Sequence, residues 1–386
     1  MKNSFKLTGE AAETLAETYG TPLLVLSLDQ VEENYKFLRK QLPGVKLFYA
    51  VKANPDPNLV KRLVELGSCF DVASDGEIID LKDMGIAPER IVYANPVKTS
   101  IGLTTAKGAG VKQLTFDSEG ELNRIVKIMP EASVLLRIRI DNKDSLVDLN
   151  KKFGVAPEEA LDLLLSAKAK GLDVAGLCFH VGSQNTCSDA YLKALAISRS
   201  IFDEAAQRGI MLRILDIGGG FPIPSVDDNF DIFSMTRQIQ TELNRLFPDT
   251  EIWAEPGRFI CGTAVNLITK VIGAQVRSGQ QWYFLDEGIY GTFSGALFDH
   301  WKYEMETFKD GPEINATIAG PSCDSLDVVF QNHNTVALDI DDLILVPNCG
   351  AYSSASATTF NGFAKAPTVI WEDIVETLPC KLMAAS

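Results

Sequence analysis

Lys46-Leu47-Phe48-Tyr49-Ala50-Val51-Lys52 opens a rhythm that decides the fold. Aromatic and β-branched residues make Lys46–Val51 a strand, and longer amphipathic stretches separate it from further runs of the same kind. Seven more follow: Cys69–Ala73, Ile91–Ala94, Gln113–Phe116, Val134–Ile140, Val174–Phe179, Ile214–Ile217 and Glu251–Ala254. Apolar residues at three- and four-residue spacing lie between them, as in Pro157–Lys170 and Ala190–Arg208, which predicts helices. Eight parallel strands with right-handed crossovers close naturally into a (β/α)8 barrel. An open doubly wound sheet is the alternative.

After about residue 262 the helices stop. Val265–Val276, Trp282–Asp286, Thr317–Ala319, Val336–Leu338 and Leu343–Pro347, punctuated by Gly, Asn and Asp, predict an antiparallel β domain, as a sandwich or barrel. Pro22–Ser27 predicts one more strand there, because chain ends often lie near one another. The expected division is a barrel over 28–262 and a β domain built from 1–27 with 263–386. Asp141–Asn150, polar and aperiodic, reads as a mobile loop over the barrel mouth.

A chain of 386 residues exceeds one ordinary core, which agrees with this division. Its 46% hydrophobic and 23% charged residues describe a soluble globular protein. No apolar run approaches the roughly 18 residues of a membrane helix, and Met1–Lys6 leads into no signal-like core. Seven cysteines, an odd number without a CxxC pair, point to reduced thiols in a cytoplasm. A net charge of −15 argues against nucleic acid or an anionic membrane as partner. It favours cationic ligands, although plain solubility explains it equally.

A barrel gathers its chemistry at the C-terminal ends of its strands. The residues there are Lys52, Asp71, Asn95, Asp117, Arg137, His180, Gly218-Gly219-Gly220 and Glu255. Lys52 closes an apolar run, where burial would lower its pKa and free its amine for Schiff-base chemistry. Taken alone, it reads equally as a strand-end lysine reaching solvent. The glycine run after Ile214–Ile217 lets backbone N–H groups approach an anion, or simply forms a tight turn. Neither GxGxxG nor GxxxxGK[ST] is present, which argues against a dinucleotide or P-loop site. In Glu255-Pro256-Gly257-Arg258 a turn lets the acid and the arginine's rigid fork of donors face one ligand, and an ordinary surface pair is the plain alternative. His180, one of three histidines, ends an apolar strand; it fits either a hydrogen-bonded core residue or a flat ring packed on an aromatic cofactor. No HxH or HExxH spacing exists, so no zinc site is expected. Cys323 in Gly320-Pro321-Ser322-Cys323-Asp324 reads as a reactive or an inert thiol. Tyr352 and the pair Asp299-His300 are ambiguous in isolation.

Taken together, Phe48–Asn54, Phe179–Ser183, Gly218–Phe221, Glu255–Arg258 and Cys323-Asp324 resemble the ornithine/lysine/diaminopimelate decarboxylases, pyridoxal-phosphate enzymes with an alanine-racemase-like barrel. The likeness covers nearly the whole chain, in order. It implies a homodimer with active sites at the subunit interface. It implies that Lys52 holds pyridoxal phosphate covalently and that Glu255 pairs with the ring nitrogen. Gly218, Gly219, Gly220, Ser183, Arg258 and Tyr352 would bind the phosphate, and His180 would stack on the ring. Asp71, Glu77 and Arg137 would line the pocket, and Cys323 of the other subunit would protonate the α-carbon. Phe298-Asp299-His300 resembles the site that meets a distal ammonium in ornithine and lysine decarboxylases. Asp324 stands where enzymes for diaminopimelate carry Glu. Asp299 and Asp324 therefore imply lysine or ornithine as substrate, and cadaverine or putrescine as product in polyamine biosynthesis. One methylene is worth only about 1–3 kcal/mol, so activity on both is physically easy. Diaminopimelate decarboxylation is one alternative. A catalytically inactive relative that binds regulatory partners is the other, and such relatives typically lose the cofactor contacts kept here. An alanine racemase would lack Glu-Pro-Gly-Arg.

Overall fold

The computed structural model describes residues 4–140, 152–225 and 230–375. The expected Asp141–Asn150 loop lies outside them. Contacts divide the chain into two compact units, Asn34–Pro222 with Asn229–Phe259, and Met1–Glu33 with Ile223–Asp228 and Ile260–Ser386. Strand β1 (Leu23–Leu26) belongs to the second unit.

The first unit holds β2 (Val45–Ala50), β3 (Cys69–Val72), β4 (Ile91–Tyr93), β5 (Gln113–Phe116), β6 (Ser133–Arg137), β7 (Asp173–Cys178), β8 (Ile214–Asp216) and β9 (Glu251–Ala254). All pair in parallel, in sequence order, and β9 returns to β2 through Val45↔Ile252 and Leu47↔Ala254, so the barrel is closed. The open-sheet alternative is thereby excluded. Side chains in the loops after β2 to β5 start the next helix: Asp56 accepts the Asn58 amide at 2.8 Å just ahead of Pro57, and Ser74, Thr99 and Ser118 cap in the same manner. Each cap is worth about 1 kcal/mol. The helices turn apolar faces to the barrel, as Leu59, Val60 and Leu63 do on Pro57–Glu65.

Alternation along the strands sends every second residue inward. Phe48, Cys69, Val92, Ala94, Leu135, Ala175, Cys178, Ile214 and Trp253 meet in one buried cluster, with the Phe48 and Trp253 rings 4.4 Å apart. Each large side chain buried in this plug contributes about 1.5–3 kcal/mol. Two residues beyond members of this plug stand Asp71, Arg137, His180, Asp216 and Glu255. The same period therefore sets a polar layer on an apolar floor. A register shift between Val134 and Leu135 lets Ala175 and Cys178, three apart, both face the interior.

The second unit is built on β10 (Val265–Arg277), whose start pairs with β1 and whose end pairs with β11 (Gln280–Leu285). The other strands are β12 (Glu306–Thr307), β13 (Glu313–Ala319), β14 (Val328–Val336), β15 (Leu343–Val346) and β16 (Thr368–Ile370). A bulge between Val271 and Gly273 separates the two halves of β10. Helix Gly9–Tyr19 places Ala11, Ala12 and Leu15 against Leu23, Val25, Ile268 and Leu345.

Three expectations need correction. The sheet is mixed rather than antiparallel, since β11 with β13 and β1 with β16 run in parallel. Val336–Leu338 is not a strand of its own: Val336 ends β14, an edge strand whose polar Gln331-Asn332-His333-Asn334 stretch hides the strand pattern. Val134–Ile140 overreaches, for β6 ends at Arg137 and Ile138 makes only an isolated bridge to Val155.

Candidate active site

Lys52 sits in a single 3-10 turn, Val51–Ala53, directly after β2. Its ammonium forms an ion pair with Asp71, whose carboxylate is fully buried while the lysine side chain is 44% exposed. The lysine is thus aimed by a buried acid yet remains open to a ligand. Asp71 Oδ1 has no hydrogen-bond partner, and neither do Nε and Nη2 of Arg137 at the end of β6, although all three atoms are buried. Unsatisfied buried polar atoms are costly and mark places where a further group binds.

The glycine run follows β8, two strands from β2 around the closed barrel. A Cβ on Gly218 would stand 2.2 Å from the Phe179 carbonyl oxygen, and one on Gly219 2.6 Å from that of Glu255. Gly220 adopts φ +105, where side chains are strained. The Glu255 amide donates to the Gly218 carbonyl at 2.8 Å, and Tyr191 Oη donates to the Gly219 carbonyl at 2.7 Å. Only bare backbone fits here, and the run is held from both sides.

His180 accepts the Gly182 amide on Nδ1 at 2.9 Å, which leaves its proton on Nε2, beside Gly219. Burial, then the charges of Arg137 and Lys52, push its pKa down to about 3, so the imidazole is neutral. Glu255 lies beside Asp216, with which it shares a hydrogen bond. Burial raises both carboxyls, Asp216 to about 6 and Glu255 well above the ordinary range. Burial also raises Glu77, whose Oε2 accepts the Ala73 amide at 2.5 Å. Arg258 is buried at the start of a short helical turn, and Ser183 is half-buried after β7. Asn95 and Asp117 serve the backbone instead: Asn95 donates to the Ala73 carbonyl, and Asp117 accepts the Gly154 amide.

The barrel unit therefore brings together Lys52, Asp71, Arg137, His180, Asp216 and Glu255, with the glycines, Ser183 and Arg258 placed by the same strand ends. No sequence motif assigns a role to Asp216. Its signal is an acid at an inward position of an otherwise apolar strand, Ile214-Leu215-Asp216-Ile217.

Cys323, Asp324, Asp299 and Tyr352 belong to the second unit. Cys323 is exposed, and its amide donates to Asn361 Oδ1 at 3.1 Å. Asp324 accepts the Leu326 amide and the Tyr290 hydroxyl, which together hold its carboxyl below the usual range. Tyr290, also unnoticed in the sequence, stacks on Phe360 at 4.2 Å. Asp299 caps the short helix Ser294–Phe298 through its amide, and the Tyr352 carbonyl accepts from Ser294 and Ser356.

Comparison with known proteins gives a consistent picture. Residues 28–262 match the family model described as pyridoxal-dependent decarboxylase, pyridoxal binding domain. The chain is 50% identical over 374 residues to the lysine/ornithine decarboxylase of Selenomonas ruminantium, which covers 97% of this chain and 95% of that one. The crystal structure of lysine decarboxylase from Selenomonas ruminantium aligns at a TM-score of 0.94 and 49% identity over 97% of this chain and 99% of the other. Lysine/ornithine decarboxylase from Vibrio vulnificus, complexed with cadaverine, aligns at 0.89 and 36% identity over 95% and 99%.

Proposed function

The chain belongs to the pyridoxal-dependent decarboxylases, and from that premise we propose that it decarboxylates L-lysine, L-ornithine or both, giving cadaverine and putrescine for polyamine biosynthesis. One observation carries the reading: a polar layer of Lys52, Asp71, Arg137, His180 and Glu255 lies over an apolar plug, beside a glycine run that no side chain fits. These residues fit pyridoxal phosphate. The orphaned atoms of Asp71 and Arg137 call for a polar ligand, and the Gly219 and Gly220 amides suit a phosphate.

When bound, that cofactor supplies an electron sink for the pair left behind as carbon dioxide departs. Lys52 would hold it covalently, with Asp71 keeping the amine in place. Gly218 to Gly220, Ser183, Arg258 and Tyr352 would bind the phosphate. His180, neutral and fixed by Gly182, would present a flat face to the ring without adding charge. Glu255 would meet the ring nitrogen as a carboxylate and favour its protonated form, each pKa unit being worth about 1.4 kcal/mol. Cys323, supplied by a second copy of the chain in a homodimer, would place a proton on the α-carbon. Asp299 and Asp324 would receive the substrate's distal ammonium, and the hydrogen bonds on Asp324 keep it ionised for that purpose.

We assign 28–262 to the cofactor-binding barrel and 1–27 with 263–386 to the β domain. Small basic amino acids are the partners this reading requires, with neither nucleic acid nor membrane. No helix among the described residues is long and apolar enough to cross a membrane. The odd cysteine count supports a cytoplasmic protein.

The test adds pyridoxal phosphate and records visible absorbance, then compares carbon dioxide release from lysine, ornithine, arginine and diaminopimelate. Lys52→Ala should lose the bound-cofactor absorbance, and Glu255→Gln should keep the fold but lose on the order of a hundredfold or more in turnover. Near-normal turnover in either variant defeats the site assignment. Faster release from diaminopimelate than from lysine or ornithine defeats the roles given to Asp299 and Asp324.

A further inference from the structure

Asp216 has no part in the reading above, yet it is among the most buried acids of the barrel, at 1% exposure. Its Oδ1 accepts the Gly218 amide at 2.8 Å. Glu255, on the neighbouring strand end, sends its own amide to the Gly218 carbonyl at 2.8 Å. One glycine thus clamps two acidic residues side by side, and their carboxyls share a hydrogen bond. A hydrogen bond between two carboxyl groups needs a proton on one of them.

The charged and titratable groups around this pair come from four strand ends. Lys52 follows β2, Asp71 lies on β3, Arg137 ends β6, and Cys178 and His180 come from the end of β7. His180 is neutral, and burial keeps the Cys178 thiol protonated. With one proton on the pair, two cations face two anions. Without it, three buried carboxylates would face two cations, and like charges so close in a low-dielectric site oppose joint ionisation.

We propose that Asp216 is a positioning residue that keeps the single proton of the pair, so that Glu255 faces the cofactor's ring nitrogen as a hydrogen-bonded carboxylate. This inference rests on the cofactor assignment made above. Before the cofactor arrives, the proton is shared. A protonated ring nitrogen beside Glu255 then favours ionisation of Glu255 over Asp216, because opposite charge stabilises the nearer carboxylate. The proton stays within the pair, and the Asp216 carboxyl donates to Glu255 while accepting from Gly218. An asparagine can reproduce both bonds, with Oδ1 accepting from Gly218 and Nδ2 donating to Glu255. An alanine can reproduce neither.

Three proteins test this: the wild type, Asp216→Asn and Asp216→Ala, first without cofactor and then titrated with pyridoxal phosphate. Both carboxyls are raised in the folded state. The pair's contribution to stability is therefore full below about pH 4, the unfolded value, and is lost as pH climbs through 6 and beyond. Without cofactor, the wild-type melting midpoint should fall relative to Asp216→Asn between about pH 5 and 8. In the titration, Asp216→Ala should lose about tenfold or more in cofactor affinity, and Asp216→Asn should restore most of that loss. A pH-independent gap between the wild-type and Asp216→Asn midpoints overturns the shared proton. Equal loss in the two variants overturns the positioning role. If the wild type itself takes up no cofactor, it is the functional reading that fails, because the melting comparison on cofactor-free protein still reports on the proton.

Discussion

His180 shows how much a single position depends on its surroundings. In the folded chain its ring stays neutral down to about pH 3, whereas an unperturbed histidine titrates at 6.5. Between those values the unfolded chain binds a proton that the native state refuses. Stability from this group is then complete above pH 6.5 and declines as pH falls towards 3. In His180→Phe this slope should disappear. At pH 7 the variant should melt lower, because the Gly182 amide loses its acceptor at a cost of about 1–3 kcal/mol. Between pH 7 and 4, however, its midpoint should fall less than the wild type's. Parallel melting curves for the two proteins over that range would refute the account. That His180 lies at a strand end is legible in the sequence. Its protonation state is not, because Arg137 and Lys52, which help set it, arrive from strand ends 43 and 128 positions away in the sequence.

At the scale of elements, one buried charge cluster joins two barrel strands without touching the proposed chemistry. Lys98 is fully buried; its ammonium reaches Glu121 at 2.9 Å, the Thr115 carbonyl at 2.5 Å and the Asn95 carbonyl at 3.0 Å. It thereby ties the end of β5 to the segment after β4. Removing one partner of such a pair strands the other, at a cost of about 3–5 kcal/mol. Urea unfolding of Lys98→Met should show a loss of that order, part of which Lys98→Met with Glu121→Gln should recover. A loss below about 1 kcal/mol would place the pair with weak surface bridges. Nothing in the local sequence announces this lysine, because two of its partners, the Thr115 carbonyl and Glu121, lie 17 and 23 positions further along and meet it only in the folded barrel. The strands themselves are legible, since Phe48, Leu135 and Trp253 belong to runs whose apolar character follows from burial on both faces. Where one face is wet, as in Gln331–Asn334 of β14, that signal fades. Strand direction is a still weaker trace, and the parallel β11–β13 pair leaves none in composition.

For the whole molecule, the residues of the proposed site are divided between the two units. The barrel unit carries Lys52 and Glu255, and the second unit carries Cys323, Asp324 and Asp299. Large apolar side chains stand exposed beside the latter three: Leu326 at 64%, and Leu297 and Phe298 at 48% and 66%. Apolar exposure of that kind beside functional residues fits a surface covered by another chain, and a two-fold dimer would cover it twice. If each site takes Lys52 from one copy and Cys323 from the other, two inactive variants should repair one another. Lys52→Ala and Cys323→Ala, each nearly silent alone, should regain up to about a quarter of wild-type activity when mixed in equal amounts under conditions that exchange subunits. Half of the dimers would then be mixed, and each mixed dimer would hold one intact site of two. If tagged mixed dimers form but no activity returns, Cys323 acts within its own chain or not at all. Because the two variants fail for different chemical reasons, recovery would locate both residues in one site in a way that neither unit, taken alone, can.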